Sequence, residues 1–280
     1  MCGKAAAMAA MVLLTGMLAA GCKEQPEETR LVEETVETTP HVVFLISEDP
    51  ANYEAHVTIP PFADMLAEEY DLRTTVLMGE GEQPGFRFPG LEKSLPEADL
   101  LVVFFRRSAL PVAQLDRIKR FIDEGNPVVG IRTANHAFSL RTIEEGHRPW
   151  WEFVSDVLGC ENRGYGPDEP GTDVAVVPEA ADHPILDGVE PAEWHSPGSL
   201  YLVAPLLDEE ATVLLTGTVA EAEELDEELA GKVEPVAWTR LAGRSRVFYT
   251  SLGYPDDFDM PQFRRLLVNG IFWALGQDAP

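Results

Sequence analysis

The sequence predicts an α/β fold with a doubly wound, mostly parallel sheet that is covered by helices on both faces. From residue 41 onward, apolar segments of strand length alternate with segments of helical periodicity, which is the pattern of such a sheet. The segment 99–105 (DLLVVFF) is almost entirely apolar, as expected of a central parallel strand. The chain has 280 residues, 45% hydrophobic and 25% charged, which suits one globular domain with additional segments.

The predicted elements follow one another in a regular order. Strands are predicted at 41–47, 72–78, 99–105, 127–131, 235–241 and 246–252, and helices at 59–70, 110–126, 150–159 and 260–276. The prolines of the first helix, Pro60 and Pro61, are expected in its first turn, where a missing backbone N–H costs little. Gly125 is expected to end the second helix.

The first residues of the chain have the features of a bacterial export signal. One positive charge, Lys4, precedes an apolar run at 5–14, and small residues precede Cys22. The run is short and is interrupted by Thr15 and Gly16, which is typical of a signal peptide rather than a membrane-spanning helix. We therefore expect a signal peptide that ends directly before the cysteine, at 1–21.

The end of this signal, LAAGC at 18–22, resembles the lipobox of bacterial lipoproteins. We expect Cys22 to carry a lipid that anchors the protein to a membrane, with a plain cleaved signal and a retained anchor as alternatives. Residues 22–40 are acidic, Thr-rich and poor in large apolar groups, which predicts a flexible tether to a domain at 41–280. Because Lys23 rather than aspartate follows the cysteine, resemblance to lipoprotein sorting indicates an extracytoplasmic position on the outer membrane.

The charge of the chain argues against one class of partner. Lys and Arg number 21 against 48 Asp and Glu, so the net charge is -27 and the average surface repels phosphate backbones. Nucleic acid is therefore not an expected partner. The acidic segment 221–229 is expected to be a solvated loop or a short exposed helix.

Histidine and cysteine spacing indicates no metal site and no disulfide. The six histidines show no H-E-x-x-H motif or close two-histidine spacing. Cys2 leaves with the signal and Cys22 is lipidated, so Cys160 stands alone. Cys160 is expected to be buried and inert, with nucleophilic catalysis as the alternative. The sequence identifies neither a cofactor nor an oligomeric state.

Residues 127–138 (PVVGIRTANHAF) predict a strand that ends in a sharp turn resembling a nucleophile elbow. Such a turn needs small residues two places before and two places after the displayed side chain, and Gly130 and Ala134 have this spacing around Arg132. A protonated arginine can hold a carboxylate, polarise a carbonyl or stabilise an oxyanion. We therefore predict a catalytic role for Arg132, with a structural ion pair, for example to Glu48, as the alternative.

Two aromatic residues complete the candidates near this turn. His136, about one helical turn beyond Arg132, is predicted to act as an acid or base, with capping or packing of the helix start as the alternative. Trp150, Phe153, Val154 and Val157 share the apolar face of the next helix and are expected in the core. Trp151 is therefore the candidate platform on which a sugar ring stacks.

Further polar residues follow the ends of the predicted strands, where ligands bind in sheets of this class. The predicted ligand contacts are Glu48, Tyr53, His56, Arg106, Arg107, Thr133, Tyr254 and Asp256, beside Ser47 and Ser251. Of the two adjacent arginines, one is expected to face the ligand and the other to form a surface pair. Ordinary loop hydrogen bonding is the alternative for Glu48, Tyr53 and His56.

Several stretches resemble one known family. HVVFLISED, PVVGIRTANHAF, HPILDGV, SLYLVAPL, PVAWTR and SRVFYTSLGYPDDFDM occur in the order found in ThuA-like (trehalose-utilization) domains, and the similarity covers about residues 41–277. The resemblance implies a flavodoxin-like fold similar to class I glutamine amidotransferases, whose elbow carries a catalytic cysteine. Arg132 occupies that place here, so glutaminase chemistry is not implied. Family members are associated with the use of trehalose and related disaccharides, including 3-keto sugars.

The chain departs from the family pattern at two places. Tyr254 stands where the family motif S-L-G-H has histidine, and Cys160, Asn162 and Arg163 stand where the family has glycine and histidines. Both changes remove candidate proton carriers. We therefore expect an envelope protein that binds or converts a carbohydrate at the strand ends, with two alternatives: a non-catalytic sugar-binding or protein-interaction module, and a cysteine hydrolase using Cys160.

Overall fold

The computed structural model describes residues 39–82, 85–142, 144–167, 169–220 and 229–280. The predicted signal peptide, Cys22 and nearly all of the predicted tether lie outside these ranges, as does most of the acidic segment 221–229. Within these ranges, none of the helices has both the length and the apolar character needed to cross a membrane.

Strands and helices alternate through the first part of the chain and strands dominate the second. The strands are β1 (His41–Ile46), β2 (Arg73–Met78), β3 (Leu100–Phe104), β4 (Leu110–Pro111), β5 (Val128–Ile131), β6 (His147–Arg148), β7 (Thr172–Val176), β8 (Glu193–Ser196), β9 (Thr212–Val219), β10 (Val233–Ala242) and β11 (Ser245–Thr250). The α-helices are α1 (Ala55–Glu69), α2 (Leu91–Ser94), α3 (Val112–Asp123) and α4 (Pro261–Leu275).

Nine of the described strands form one sheet in the order β2-β1-β3-β5-β11-β10-β9-β7-β8. The first five strands in this order are parallel, which confirms the predicted fold class. The chain moves from β1 outward to β2 and then returns to the other side of β1 as β3. Ligands of doubly wound sheets bind beyond the carboxyl ends of the strands at such a reversal. We call the edge where the carboxyl ends of the parallel strands meet the rim.

The other half of the sheet is antiparallel and was predicted only in part. β10 pairs antiparallel with β11, and β9, β7 and β8 continue the sheet in the same manner. β10 and β11 were predicted, whereas β7, β8 and β9 were not. β8 has four residues, of which Glu193 and His195 are exposed, so its pattern is too short and too polar to be recognised.

Two helices differ from their predicted form. α1 begins at Ala55, so Pro60 and Pro61 lie in its second turn and the prediction that they occupy its first turn was wrong. The segment predicted as a helix at 150–159 is a turn followed by a π-helix, Phe153–Leu158, which ends at Gly159 with φ 76°. Trp150, Phe153 and Val157 are nevertheless buried as expected, and Val154 is partly buried.

Buried layers cover both faces of the sheet, as a parallel sheet requires. Along β1, Val42, Phe44 and Ile46 pack on the side of α1 and α4, while Val43 and Leu45 pack on the side of α2 and α3. Since the helices cover the faces, the rim is the place where polar loop residues of several strands can meet.

Candidate functional site

The predicted elbow is present at the end of β5. Arg132 has φ 41°, a left-handed conformation that is uncommon for a residue other than glycine. A Cβ atom at Gly130 would lie 2.8 Å from the ring of Tyr249 and 3.3 Å from the Cβ of Ala134. The small residues on both sides of Arg132 are therefore required by close contact, as the sequence spacing indicated.

The side chain of Arg132 is buried, with 1% of its surface exposed, and its predicted catalytic role stays a prediction. Its Nη1 donates to the carbonyl oxygen of Ser251 at 2.9 Å, and its Nη2 donates to the Oγ of Ser199 at 3.3 Å. Its Cζ lies 4.0 Å from the ring centre of Tyr53 and 4.9 Å from that of Tyr201. These neighbours cover the faces of the guanidinium and use one donor on each Nη, while the buried Nε has no hydrogen-bond partner among the described residues.

The alternative ion pair between Arg132 and Glu48 is not formed among the described residues. The nearby acidic group is Asp257, which is fully buried and accepts the backbone N–H groups of Gly253 at 2.8 Å and Tyr254 at 2.9 Å. Burial raises the pKa of Asp257, although these hydrogen bonds and the charge of Arg132 oppose the rise.

Tyr53 covers Arg132 from the loop after β1. Its own backbone is left-handed, with φ 49°, and its ring centre lies 5.9 Å from that of Tyr254. Burial alone would raise the pKa of Tyr53, but the charge of Arg132 and hydrogen bonds with Tyr201, Arg132 and Ser199 outweigh it. The pKa of the Tyr53 phenol therefore lies below its ordinary value of 10.0.

Three of the predicted ligand contacts, Thr133, Asp256 and Glu48, do not line the cleft described below, and their roles stay predictions. Thr133 is buried and its hydroxyl donates to the side chain of Asn52, which itself donates to the carbonyl oxygen of Phe104 at 2.9 Å. Asp256 lies in a separate groove of about 920 Å³ between α1 and α4, and its neighbour Asp257 faces Arg132 instead. Glu48 is exposed.

His56 lies in the first turn of α1. Its Nδ1 is buried and has no hydrogen-bond partner among the described residues. Among the described residues, no hydrogen bond, ion pair or ring contact joins His56 to Arg132, and the role of His56 as a ligand contact stays a prediction.

A cleft of about 780 Å³ opens beside the elbow. It includes residues that follow the ends of β3 and β5, so it lies at the rim, unlike the larger groove between α1 and α4. Its lining includes Arg107, Asn135, His136, Arg141, Trp151, Cys160 and Asn162. The accessible chemistry of the rim therefore lies in the residues after the elbow rather than in Arg132.

His136 lies in the cleft wall beside two side-chain amides, one of which its Nδ1 can pair with in a given tautomer. Its Nδ1 lies within hydrogen-bond distance of the Oδ1 of Asn135 and 3.0 Å from the Nδ2 of Asn162. Burial, followed by the charges of Arg106, Arg107 and Arg132, lowers the pKa of His136 to about 3. The imidazole is therefore neutral at pH 7. Its role in the site stays a prediction.

The two adjacent arginines differ in exposure, and their predicted roles as ligand contacts stay predictions. Arg107 has φ 45°, its backbone N–H donates to the carbonyl oxygen of His136 at 2.9 Å, and its exposed side chain lines the cleft. Arg106 is largely buried, and its Nη1 lies 3.8 Å from the Oδ1 of Asp49. Trp151 is 47% exposed and lines the same cleft as Arg107.

Cys160 is fully buried at the base of the cleft wall. Burial raises the pKa of its thiol to about 12, so the thiol is protonated at neutral pH. The structure therefore favours the inert form of Cys160 over a nucleophile. Within the described ranges, no group of three or more His, Cys, Asp or Glu side chains is placed to hold a metal ion.

Sequence reasoning missed several residues of the rim, namely Asn52, Asn135, Ser199, Tyr201 and Asp257. Ser199 and Tyr201 follow β8, a strand that was not predicted, so their approach to Arg132 had no local signal. Asp257 is adjacent to Asp256, which was the predicted ligand contact. The turn Pro255–Asp259 decides which of the two carboxylates is buried.

The fold and the site together define an α/β protein of the amidotransferase-like type in which a buried arginine occupies the elbow. The family model for ThuA, described as trehalose utilisation, matches residues 42–274, and the chain belongs to this family. A comparison with curated protein sequences gives no match.

Two solved structures of ThuA-like proteins resemble the chain. One, from Bacteroides uniformis ATCC 8492, has a TM-score of 0.61 and 18% identity, covering 86% of this chain and 94% of that one. The other, from Parabacteroides merdae ATCC 43184, has a TM-score of 0.63 and 16% identity, covering 87% of this chain and 92% of that one. At these identities the likeness shows the fold alone, which is consistent with the expected flavodoxin-like, class I glutamine amidotransferase-like architecture.

Replacing Arg132 tests its structural role. Arg132→Ala is expected to lower the free energy of unfolding by about 3 kcal/mol, because it leaves buried polar partners without their donor and opens a cavity among tyrosine rings. Urea unfolding followed by circular dichroism measures the change. Arg107→Ala, which removes an exposed guanidinium from the same rim, is expected to stay within about 0.5 kcal/mol of the wild type. An equal decrease in the free energy of unfolding in Arg132→Ala and Arg107→Ala would contradict the structural role of Arg132.

His136 is expected to make the protein less stable in acid. Its pKa is about 3 in the folded protein and near 6.5 in the unfolded chain, so below pH 6.5 only the unfolded state takes up the proton. At about pH 4.5 this uptake costs about 2–3 kcal/mol of the free energy of unfolding. Urea unfolding measures how much the free energy of unfolding falls between about pH 7 and pH 4.5. This fall should be smaller by about 2–3 kcal/mol in His136→Gln than in the wild type. The same loss in both proteins would show that His136 is not buried and neutral.

Proposed function

We propose that this ThuA-family protein binds or converts a carbohydrate, a disaccharide or keto sugar, in the cleft beside the elbow. The observation that carries the proposal is the exposed ring of Trp151 in a cleft whose wall carries uncharged polar groups. An indole ring offers a flat apolar surface on which the C–H face of a sugar can stack. Asn135, Asn162 and the neutral His136 supply donors and acceptors that match sugar hydroxyls. The family's role in trehalose utilisation supports the same class of ligand.

A second candidate, a sugar-binding module without catalysis, is favoured by the protonation states in the cleft. General acid–base catalysis needs a group whose pKa lies near the working pH. His136 has a pKa of about 3, the Cys160 thiol has a pKa of about 12, and Arg132 is buried. Tyr53, whose pKa is lowered, lies beside Arg132 and is the group that a catalytic step would use.

Trp151 offers a direct test of the sugar site. Trp151→Ala is expected to weaken the binding of trehalose or its 3-keto derivative about tenfold because the stacking surface is lost, whereas Trp151→Phe retains part of it. Isothermal titration calorimetry measures the affinity. Leu241→Ala, which removes an exposed apolar side chain from β10, is the matched control and is expected to bind as the wild type does.

Product analysis of the same mixtures separates the two candidates. A new sugar species in the wild-type sample identifies an enzyme, and Tyr53→Phe should then lower its rate of formation. Binding without a product identifies the non-catalytic module. No binding of either sugar by a folded wild-type protein would contradict the proposal and would leave the protein-interaction module.

We also propose that the domain is held in the cell envelope, on the outer membrane, by a lipid on Cys22. The support is the sequence LAAGC at 18–22 and the lysine that follows it. Cys22→Ser is expected to abolish incorporation of labelled palmitate and to release the protein from the membrane fraction, while Cys2→Ser leaves both unchanged. Labelling that persists in Cys22→Ser would contradict the anchor, and recovery from the inner membrane alone would contradict the outer-membrane position.

A further inference from the structure

The cleft contains positively charged groups without partners. Arg107 and Arg141 are exposed and line it, and among the described residues neither side chain is in an ion pair or a side-chain hydrogen bond. The acidic residue of the same lining, Glu161, lies 3.0 Å from the guanidinium of Arg163 and is already paired. Two guanidinium groups with free donors therefore face the cleft.

A buried side-chain amide, that of Asn135, is a third group with a free hydrogen-bond donor. Asn135 is 1% exposed and lines the cleft, and its Nδ2 has no hydrogen-bond partner among the described residues. Its Oδ1, in contrast, lies within hydrogen-bond distance of His136 and 3.5 Å from the Nδ2 of Asn162. A buried N–H group without a partner is costly, so this donor favours a ligand that brings an acceptor oxygen.

The local charge of the cleft opposes that of the whole protein. The chain carries a net charge of -27, so its average surface repels anions. Near the cleft, however, the charges of Arg106, Arg107 and Arg132 all contribute to lowering the pKa of His136. Three cations therefore lie close enough to this one imidazole to disfavour its positive charge. The same cations favour an anionic ligand in the cleft, in contrast to the average surface of the protein.

We propose that the cleft selects a carbohydrate that carries a carboxylate, such as a uronic or aldonic acid. Arg107 and Arg141 bind the carboxylate, because guanidinium donors match its two oxygens in geometry and charge. The Nδ2 of Asn135 donates to an oxygen of the same ligand, and Trp151 holds the sugar ring. This inference rests on the proposed function of the cleft and specifies its substrate class.

The test compares acids with their neutral amides. Glucuronate and lactobionate are titrated into the full chain by isothermal titration calorimetry, alongside glucuronamide, lactobionamide and inorganic phosphate. At least one acid is expected to bind about tenfold more tightly than its amide, since a charge-assisted hydrogen bond is lost in the amide. Arg107→Gln and Arg141→Gln are each expected to remove most of this difference.

The matched control is Arg244→Gln, which makes the same charge change at the opposite edge of the parallel strands, before β11. It is expected to preserve the difference between acid and amide. Circular dichroism of each variant shows that it is folded, which is expected because Arg107 and Arg141 are exposed.

The possible failures are distinguishable. If the amides bind as tightly as the acids and Trp151→Ala still weakens the binding of both, the proposed selection for a carboxylate is wrong. The proposed sugar site in the cleft is then retained. If phosphate binds as tightly as the acids and Trp151→Ala has no effect, the cleft is a general anion site and both proposals fail. If no acid binds to the folded wild type, the inference is wrong.

Discussion

The buried guanidinium of Arg132 holds together segments that lie far apart in the sequence. It stands at the end of β5, donates to Ser251 after β11 and to Ser199 after β8, and lies against Tyr53 after β1. Burial of this charge is costly, and these two hydrogen bonds and the neighbouring tyrosine rings offset part of the cost, although the Nε has no hydrogen-bond partner among the described residues. The loops at the rim therefore have to take positions that satisfy this one group.

The rim shows the strain that follows from this requirement. Tyr53, Arg107 and Arg132 all have left-handed backbones, which side chains other than glycine rarely adopt and which concentrate at functional sites. A Cβ atom at Gly198 would lie 2.8 Å from the guanidinium of Arg132, so the segment after β8 also fits closely around it. The side chain at the elbow is therefore packed among loops from several strands. The residues that line the cleft, Asn135 among them, include those that follow the elbow.

Some of the fold and part of the site could be predicted from sequence, for identifiable reasons. The parallel strands are continuous apolar runs, and the elbow depends on small residues at fixed spacing around Arg132, so both have local signals. The strands β7 and β8 were missed because their short, partly exposed patterns resemble loops, whereas β9, with eight residues, was missed although it has strand length. Asp256 was chosen over Asp257 because adjacent carboxylates are equivalent until a turn directs one of them inward.

By itself the sequence determined the family, the parallel α/β architecture and the place of the elbow. These depend on periodicity, residue size and motif order, which are properties of neighbouring residues. The tertiary structure alone decided that Arg132 is buried, that His136 is neutral and that Arg107 and Asn135 share a cleft with Trp151. Burial and electrostatic potential are sums over groups brought together from distant segments, so no local pattern contains them.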